Sequence, residues 1–177
     1  AFGLPAERLA RGLPSFLGVK RRLEVRATAA GVTVVDDFAH HPTAVATTLA
    51  GARKRWPGRR IWGVFEPRSL TAGRADFLEP YFAALREADA VALAAPYHAA
   101  RLSRPGAPGA LDVSALVARL AGEGREALSA PDPSALAEVL LPRLAEGDVV
   151  IVMSSGAFGG LCGKLVQCLA TREAVPA

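Results

Sequence analysis

Asp36-Asp37-Phe38-Ala39-His40-His41-Pro42-Thr43 follows directly on the apolar run Val32-Thr33-Val34-Val35. A strand that empties into charges and then a proline is how an α/β sheet presents chemistry at its carboxyl edge. The stretch holds two of the chain's three histidines beside paired carboxylates. It also reads as a turn and a helix start: Asp37 or Thr43 can cap, Pro42 suits a first helical turn, and adjacent histidines need not share a ligand.

Upstream, Arg22-Leu23-Glu24-Val25-Arg26 alternates polar and apolar residues, as a strand with one wet face does, and Ala30-Gly31 turns it into Val32–Val35. A β-hairpin therefore opens the sheet. Before it, Ala6 to Leu13 reads as one amphipathic helix, with Leu4-Pro5 ahead of it and Gly12, Pro14 and Gly18 breaking the pattern. Downstream, a helix over Thr43–Lys54 precedes the strand Arg60–Phe65, which ends in Glu66-Pro67-Arg68-Ser69. A helix over about Ala75–Glu87, with Pro80 in its first turns or bending it, leads to the strand Ala90–Ala95. That strand stops at Pro96-Tyr97-His98 before a loop built on Pro105–Gly109. Asp112-Val113-Ser114 opens a helix through Leu120, Glu126–Ser129 is a brief strand, and Pro133–Ala145 is helical apart from Pro142. The most apolar strand, Asp148–Met153, empties into Ser154-Ser155-Gly156-Ala157-Phe158-Gly159-Gly160, and a last helix carries Leu161–Leu169. Strands alternating with helices predict a mostly parallel sheet covered on both faces, with right-handed crossovers and every strand end on one edge.

At 177 residues the chain suffices for one α/β domain, or one domain plus a fragment of another. With 51% hydrophobic and 21% charged residues it is globular rather than disordered. The net charge of +4 comes from eighteen arginines against three lysines, strewn from Arg8 to Arg172 and often beside acids, which reads as a solvated surface and not a nucleic-acid face. Cys162 and Cys168 lie six apart, on different faces of a helix, so reduced thiols are expected. No secretory leader pattern opens the chain, and no apolar run approaches the roughly twenty residues of a membrane span, so a cytoplasmic location is expected.

Gly163-Lys164 after a glycine-rich turn looks like a phosphate loop but fails the pattern. The first glycine of G-x-x-x-x-G-K-[ST] would fall on Phe158, and Leu165 stands where a magnesium-binding hydroxyl belongs. A backbone nest for an anion and a plain strand-to-helix turn both remain open there. Arg68, beside Glu66, Ser69 and Thr71, suits two-point grip of a carboxylate, or an ordinary salt bridge to Glu66. Asp36, Asp37, His40 and His41 carry metal-ligand chemistry, but neighbours on an extended segment point opposite ways, so no dedicated metal site is expected.

Four segments, Gly18–Val25, Asp36–Thr43, Glu66–Ser69 and Gly147–Gly160, resemble in order and spacing the C-terminal domain of the Mur ligases. The similarity is greatest to the muropeptide ligases of peptidoglycan recycling, which join L-Ala-γ-D-Glu-meso-diaminopimelate to UDP-N-acetylmuramate. The resemblance implies a Rossmann-like domain over residues 20–177, with residues 1–19 the terminal helix of a central ATPase domain. It implies an ATP-dependent ligase of cell-wall biogenesis in which the central domain supplies the P-loop and the magnesium ligands, so this stretch alone should not turn over. ATP and Mg2+ are the implied cofactors; UDP-N-acetylmuramate, murein tripeptide and the central domain are the implied partners, with no nucleic acid or membrane.

Carried over by position, Arg22 matches an arginine that approaches the ATP phosphates, and Asp37, with Asp36 as its alternate, an aspartate on the nucleotide side. His40 and His41 match histidines lining the closed cleft, where either could orient the incoming amine or the nucleotide. Arg22, Asp37, His40 and His41 are thus the implied catalytic set. His41, Arg68, Ser69, Thr71, Ser154, Ser155 and Gly156 are the implied peptide-binding set. The chain departs from the branch at Leu70, Ala72 and Gly73, where Asn and then Met-Lys are common, and at Ser155 of Ser154-Ser155-Gly156, where Asn is frequent. Two alternatives keep the enzyme class and change the acceptor, to that of the alanine-adding Mur ligase or of a folylpolyglutamate synthetase-like ligase. A third is a non-catalytic module that binds a nucleotide or a murein peptide.

Overall fold

The computed structural model describes residue 3, residues 5–15 and residues 18–174. Leu4, expected just ahead of the first helix, and Phe16 and Leu17, within the expected terminal segment 1–19, lie outside the described residues. The strands are β1 (Glu24–Ala29), β2 (Val32–Asp37), β3 (Ile61–Phe65), β4 (Ala90–Ala94), β5 (Glu126–Ala130) and β6 (Val149–Met153). The helices are α1 (Ala6–Gly12), α2 (Pro42–Arg55), α3 (Leu78–Leu85), α4 (Ala99–Leu102), α5 (Val113–Gly122), α6 (Pro133–Leu140) and α7 (Leu161–Ala174).

The strands form one six-stranded sheet in the order β1-β2-β6-β3-β4-β5. Only the β1–β2 hairpin is antiparallel; every other pair is parallel. Strands β3, β4 and β6 are buried at every residue, which is why Ile-Trp-Gly-Val-Phe, Ala-Val-Ala-Leu-Ala and Val-Val-Ile-Val-Met are unbroken apolar runs. Alternate residues feed two cores. Val35, Phe65 and Ile151 pack with Leu49 of α2, Leu85 of α3 and Leu116 of α5, while Val34, Val64 and Val150 pack with Leu140 of α6 and Leu165 of α7. The mostly parallel α/β sheet with helices on both faces is therefore the architecture read from the sequence.

Helix α2 leaves β2 toward one face and α7 leaves β6, its immediate neighbour, toward the other. Loops that part in this way open a crevice at the carboxyl edge. Register places Asp37, Met153 and Phe65 side by side at the ends of β2, β6 and β3. The loops that follow thus start level.

Local details depart from the sequence reading. β1 begins at Glu24 and not Arg22, because Arg21 (φ 57) and Leu23 (φ 46) are left-handed and cannot extend the ladder. The hairpin turn has positive φ at Ala30 (47) and Gly31 (71), the twist that a two-residue turn requires. Neither Asp37 nor Thr43 caps α2; its N-cap is His41, without a side-chain cap, and Pro42 opens the helix. Asp112 and Asp132 do cap, accepting from Ala115 N–H and from Ser134 and Ala135 N–H. The stretch from Ala75 starts as a 3-10 turn, and Pro80 falls in the first turn of α3 without breaking it. α4 lies in the stretch read as loop, and α6 stops at Leu140 where Leu141-Pro142-Arg143 tightens to a 3-10 turn. Among the described residues no helix is long and apolar enough to cross a membrane, and Cys162 and Cys168 are unpaired with one another.

Candidate functional site

Asp37 organises the rim although its side chain is only 3% exposed. Its Oδ2 accepts from Leu23 N–H at 2.7 Å, and its Oδ1 from Ala39 N–H at 2.8 Å and the Thr48 hydroxyl at 3.1 Å. A carboxylate with these donors is held in place and in turn fixes the backbone that it bonds. That backbone is the segment 21–24. Arg21 N–H donates to Glu24 at 2.8 Å and Phe38 N–H to Arg21 O at 2.9 Å. Between the left-handed residues 21 and 23, Arg22 projects exposed, its guanidinium 5.3 Å from the Phe38 ring.

Arg21 turns the other way. Its Nε donates to Asp36 at 3.2 Å, and its Nη2 to the carbonyls of Ser154 at 2.6 Å and Gly156 at 2.7 Å. Its guanidinium also lies 5.2 Å from Phe38. Asp36 is therefore paired within the fold.

His40 is half-buried, with Nδ1 3.0 Å from Phe38 O and its ring edge-on to Phe38 at 5.2 Å. A carbonyl only accepts, so Nδ1 carries the proton, and in the neutral ring Nε2 is left as the acceptor. The His40 carbonyl accepts from the Tyr81 hydroxyl at 2.7 Å, and burial raises the Tyr81 phenol above its ordinary range, keeping it a donor. His41 is exposed and rests edge-on to Phe77 at 5.6 Å.

On the other side of the crevice, Ser154 is 1% exposed and donates its hydroxyl to Glu66 Oε2 at 2.6 Å. The Ser154 hydroxyl oxygen in turn accepts Gly156 N–H at 3.0 Å. Glu66, 3% exposed, also meets Arg68 Nη1 at 3.5 Å, so the ion pair considered from sequence is present. Yet Arg68 is more than a surface pair. It stacks on Tyr97, 4.1 Å from the ring centre, and crosses directly over Gly156, where a Cβ would overlap its Nε, Cδ and Cζ. Ser69 Oγ accepts Ala72 N–H at 3.0 Å, Thr71 is exposed, and Ser155 is half-buried.

The structure thus brings Asp36, Asp37, His40, Arg68, Ser154 and Gly156 to one rim. It ties Ser154 into the scaffold: Ser154 N–H donates to Asp37 O at 3.2 Å, and its hydroxyl is engaged by Glu66. Residues not singled out from sequence complete the rim: Arg21, Phe38, Glu66 and Tyr97. Tyr97 had a signal, an aromatic residue at a strand's carboxyl end; it is 57% exposed. Arg21 had none that distinguishes it from Arg22. Behind the rim a cavity of about 420 Å³ is lined by Arg21, Asp36, Ser154, Gly156 and Cys162. Burial, then the Asp36 charge, push the Cys162 thiol up to about 12, which keeps it protonated and inert.

Comparison with known proteins bears on this rim. The profile of the family described as "Mur ligase, glutamate ligase domain" matches residues 21–156. The UDP-N-acetylmuramate–L-alanine ligase of Variovorax paradoxus is 38% identical over 175 residues, covering 95% of this chain and 35% of the relative. The UDP-N-acetylmuramate–L-alanyl-γ-D-glutamyl-meso-2,6-diaminoheptandioate ligase of Escherichia coli is 38% identical over 176 residues, covering 96% of this chain and 35% of the relative. This chain therefore spans about a third of the length of these curated relatives. Among solved structures, a domain from a Haemophilus ducreyi protein assigned as a UDP-N-acetylmuramate:L-alanyl-γ-D-glutamyl-meso-diaminopimelate ligase superposes with a TM-score of 0.67 at 33% identity, covering 84% of this chain and all of that one. The profile match, running from the Arg21 turn through the Gly156 loop, shows that the chain belongs to the Mur ligase family as its C-terminal domain.

Proposed function

We propose that this chain is the C-terminal, substrate-aligning domain of a cytoplasmic ATP-dependent ligase that joins L-Ala-γ-D-Glu-meso-diaminopimelate to UDP-N-acetylmuramate in peptidoglycan recycling. Residues 1–19 would then be the end of a central ATPase domain, which supports phosphoryl transfer. In keeping with that, every described side chain of α1 is exposed. Among the described residues no three His, Cys, Asp or Glu side chains converge, so the donor set here does not fit a magnesium cage, and no step is assigned to the metal on this domain.

The observation that carries the reading is Arg68, its plane set by Tyr97 and its stem seated on Gly156. A guanidinium held this way is preorganised for an acceptor carboxylate, and the tripeptide offers several. Across the crevice, exposed Arg22 would meet the ATP phosphates, where a cation offsets charge on a departing phosphate. The acceptor's amine nitrogen attacks the acyl phosphate carbon, the carbon–oxygen bond to phosphate breaks, and the amine loses a proton. His40 Nε2 would accept that proton, with His41 orienting the amine beside it. Asp36 and Asp37 act by holding the Arg21–Leu23 turn, and Ser154 by holding Gly156, while Ser69, Thr71 and Ser155 border the acceptor.

A second reading, L-alanine as acceptor, draws support from the Variovorax relative at equal identity. The test is ATP-dependent product formation by the full-length ligase with tripeptide, L-alanine or a folate-type acceptor. Expected is a kcat/KM for tripeptide well above the other two. A preference for L-alanine or folate would replace the acceptor, and ligand binding without any product would make the domain a non-catalytic module.

A further inference from the structure

Arg21 touches both halves of the rim. Its guanidinium donates to Asp36 on β2 and to the Ser154 and Gly156 carbonyls beyond β6. Its backbone, left-handed at φ 57, is the first residue of the turn that presents Arg22. That turn is held from beneath by Asp37 through Leu23 N–H and by Glu24 through Arg21 N–H. On the far side, the Gly156 that Arg21 grips is the residue over which Arg68 lies. One side chain therefore links the backbone under Arg22 to the backbone under Arg68. Left-handed backbone at two non-glycine residues costs free energy, and such strain persists where surrounding contacts over-determine it. Here those contacts are the Asp37 and Glu24 hydrogen bonds to the turn together with those of the Arg21 guanidinium.

We infer that Arg21 is a positioning residue that couples the nucleotide-facing Arg22 turn to the acceptor-facing Gly156–Arg68 loop, so that the two sides of the crevice are set as one unit. The inference rests on the proposed assignment of those two sides. Two charge-assisted bonds to carbonyls and one to a carboxylate make the link strong for its size. Its loss should let both loops drift, and a small misplacement of aligning groups is enough to slow a reaction held by proximity.

The signature separates coupling from simple support. In the full-length ligase, Arg21→Met, which keeps the stem and removes the donors, should raise KM for ATP and for acceptor together, each by roughly tenfold. Arg21→Lys, able to reach one carbonyl, should fall between Met and wild type. A merely structural role would lower the melting temperature and the active fraction while leaving both KM values in place. Either that result or a change in one KM alone would overturn the coupling. Amide exchange on the same full-length variants reads it without turnover: Leu23 and Gly156 N–H should lose protection together in Arg21→Met, and unchanged protection at either would also overturn it. If wild type ligates none of the acceptors, the functional reading fails, while paired loss of protection at Leu23 and Gly156 still supports the link.

Discussion

At Gly156 no side chain fits, although the backbone there is not left-handed; what excludes a Cβ is the stem of Arg68 passing overhead. Gly156→Ala should therefore fold normally and displace Arg68 from Tyr97. It is expected to raise the acceptor KM of the full-length ligase about tenfold, as loss of a charge-assisted contact does, with ATP KM and melting temperature near wild type. An unchanged acceptor KM would detach Gly156 from acceptor binding. Residue identities at the rim were legible in Asp36–Thr43 and Glu66–Ser69, because chemistry-bearing side chains crowd there after apolar strands. Which role each plays was less so. Asp37 reads from sequence as a possible helix cap or an aspartate on the nucleotide side, yet it is buried and engaged by Leu23, Ala39 and Thr48. Its partners come from segments up to fourteen residues away, beyond any local pattern. Lys20-Arg21-Arg22 gives three cations with no hint of which turns inward; the left-handed φ at Arg21 and Leu23 decides it.

Among the elements, β3 is anchored at its start by an ion pair remote from the rim. Arg53 of α2 donates to Asp89 at 2.7 and 2.9 Å, and Ile61 N–H donates to the same carboxylate at 2.7 Å. Burial, the largest single influence on Asp89, opposes ionisation, but the Arg53 and Ile61 hydrogen bonds and the Arg53 and Arg125 charges together hold its carboxyl below the usual range. A depressed folded value stabilises the fold above the unfolded pKa of about 3.9 and ceases to as pH falls through the folded one. Asp89→Asn should cost about 1 kcal/mol at pH 7, allowing for solvent screening, or a few degrees of melting temperature. Wild type and variant should converge once the pH has fallen through the lowered Asp89 value; a gap that persists into stronger acid would assign the loss to packing. Most elements were legible because β3, β4 and β6 are unbroken apolar runs and α2, α5 and α6 open on proline or a capping aspartate. Helix α4 was not, since Ala99–Leu102 lies between Pro96 and Pro105 and is too short for a periodic signal.

For the molecule as a whole, alternation of strands and helices gave the parallel sheet and its edge, but not the strand order. Nothing local says that β6, last in the chain, inserts between β2 and β3. That insertion sets Ser154 and Gly156 between Asp37 on one side and Arg68 on the other, and makes the rim a two-sided crevice. On the proposed function these sides divide the labour, nucleotide at the Arg22 turn and acceptor at Arg68. Steady-state kinetics of Arg68→Ala in the full-length ligase separates the two sides. The acceptor KM should rise at least tenfold, as for loss of a two-point carboxylate contact, with the KM for ATP close to wild type. Equal increases in both would contradict it.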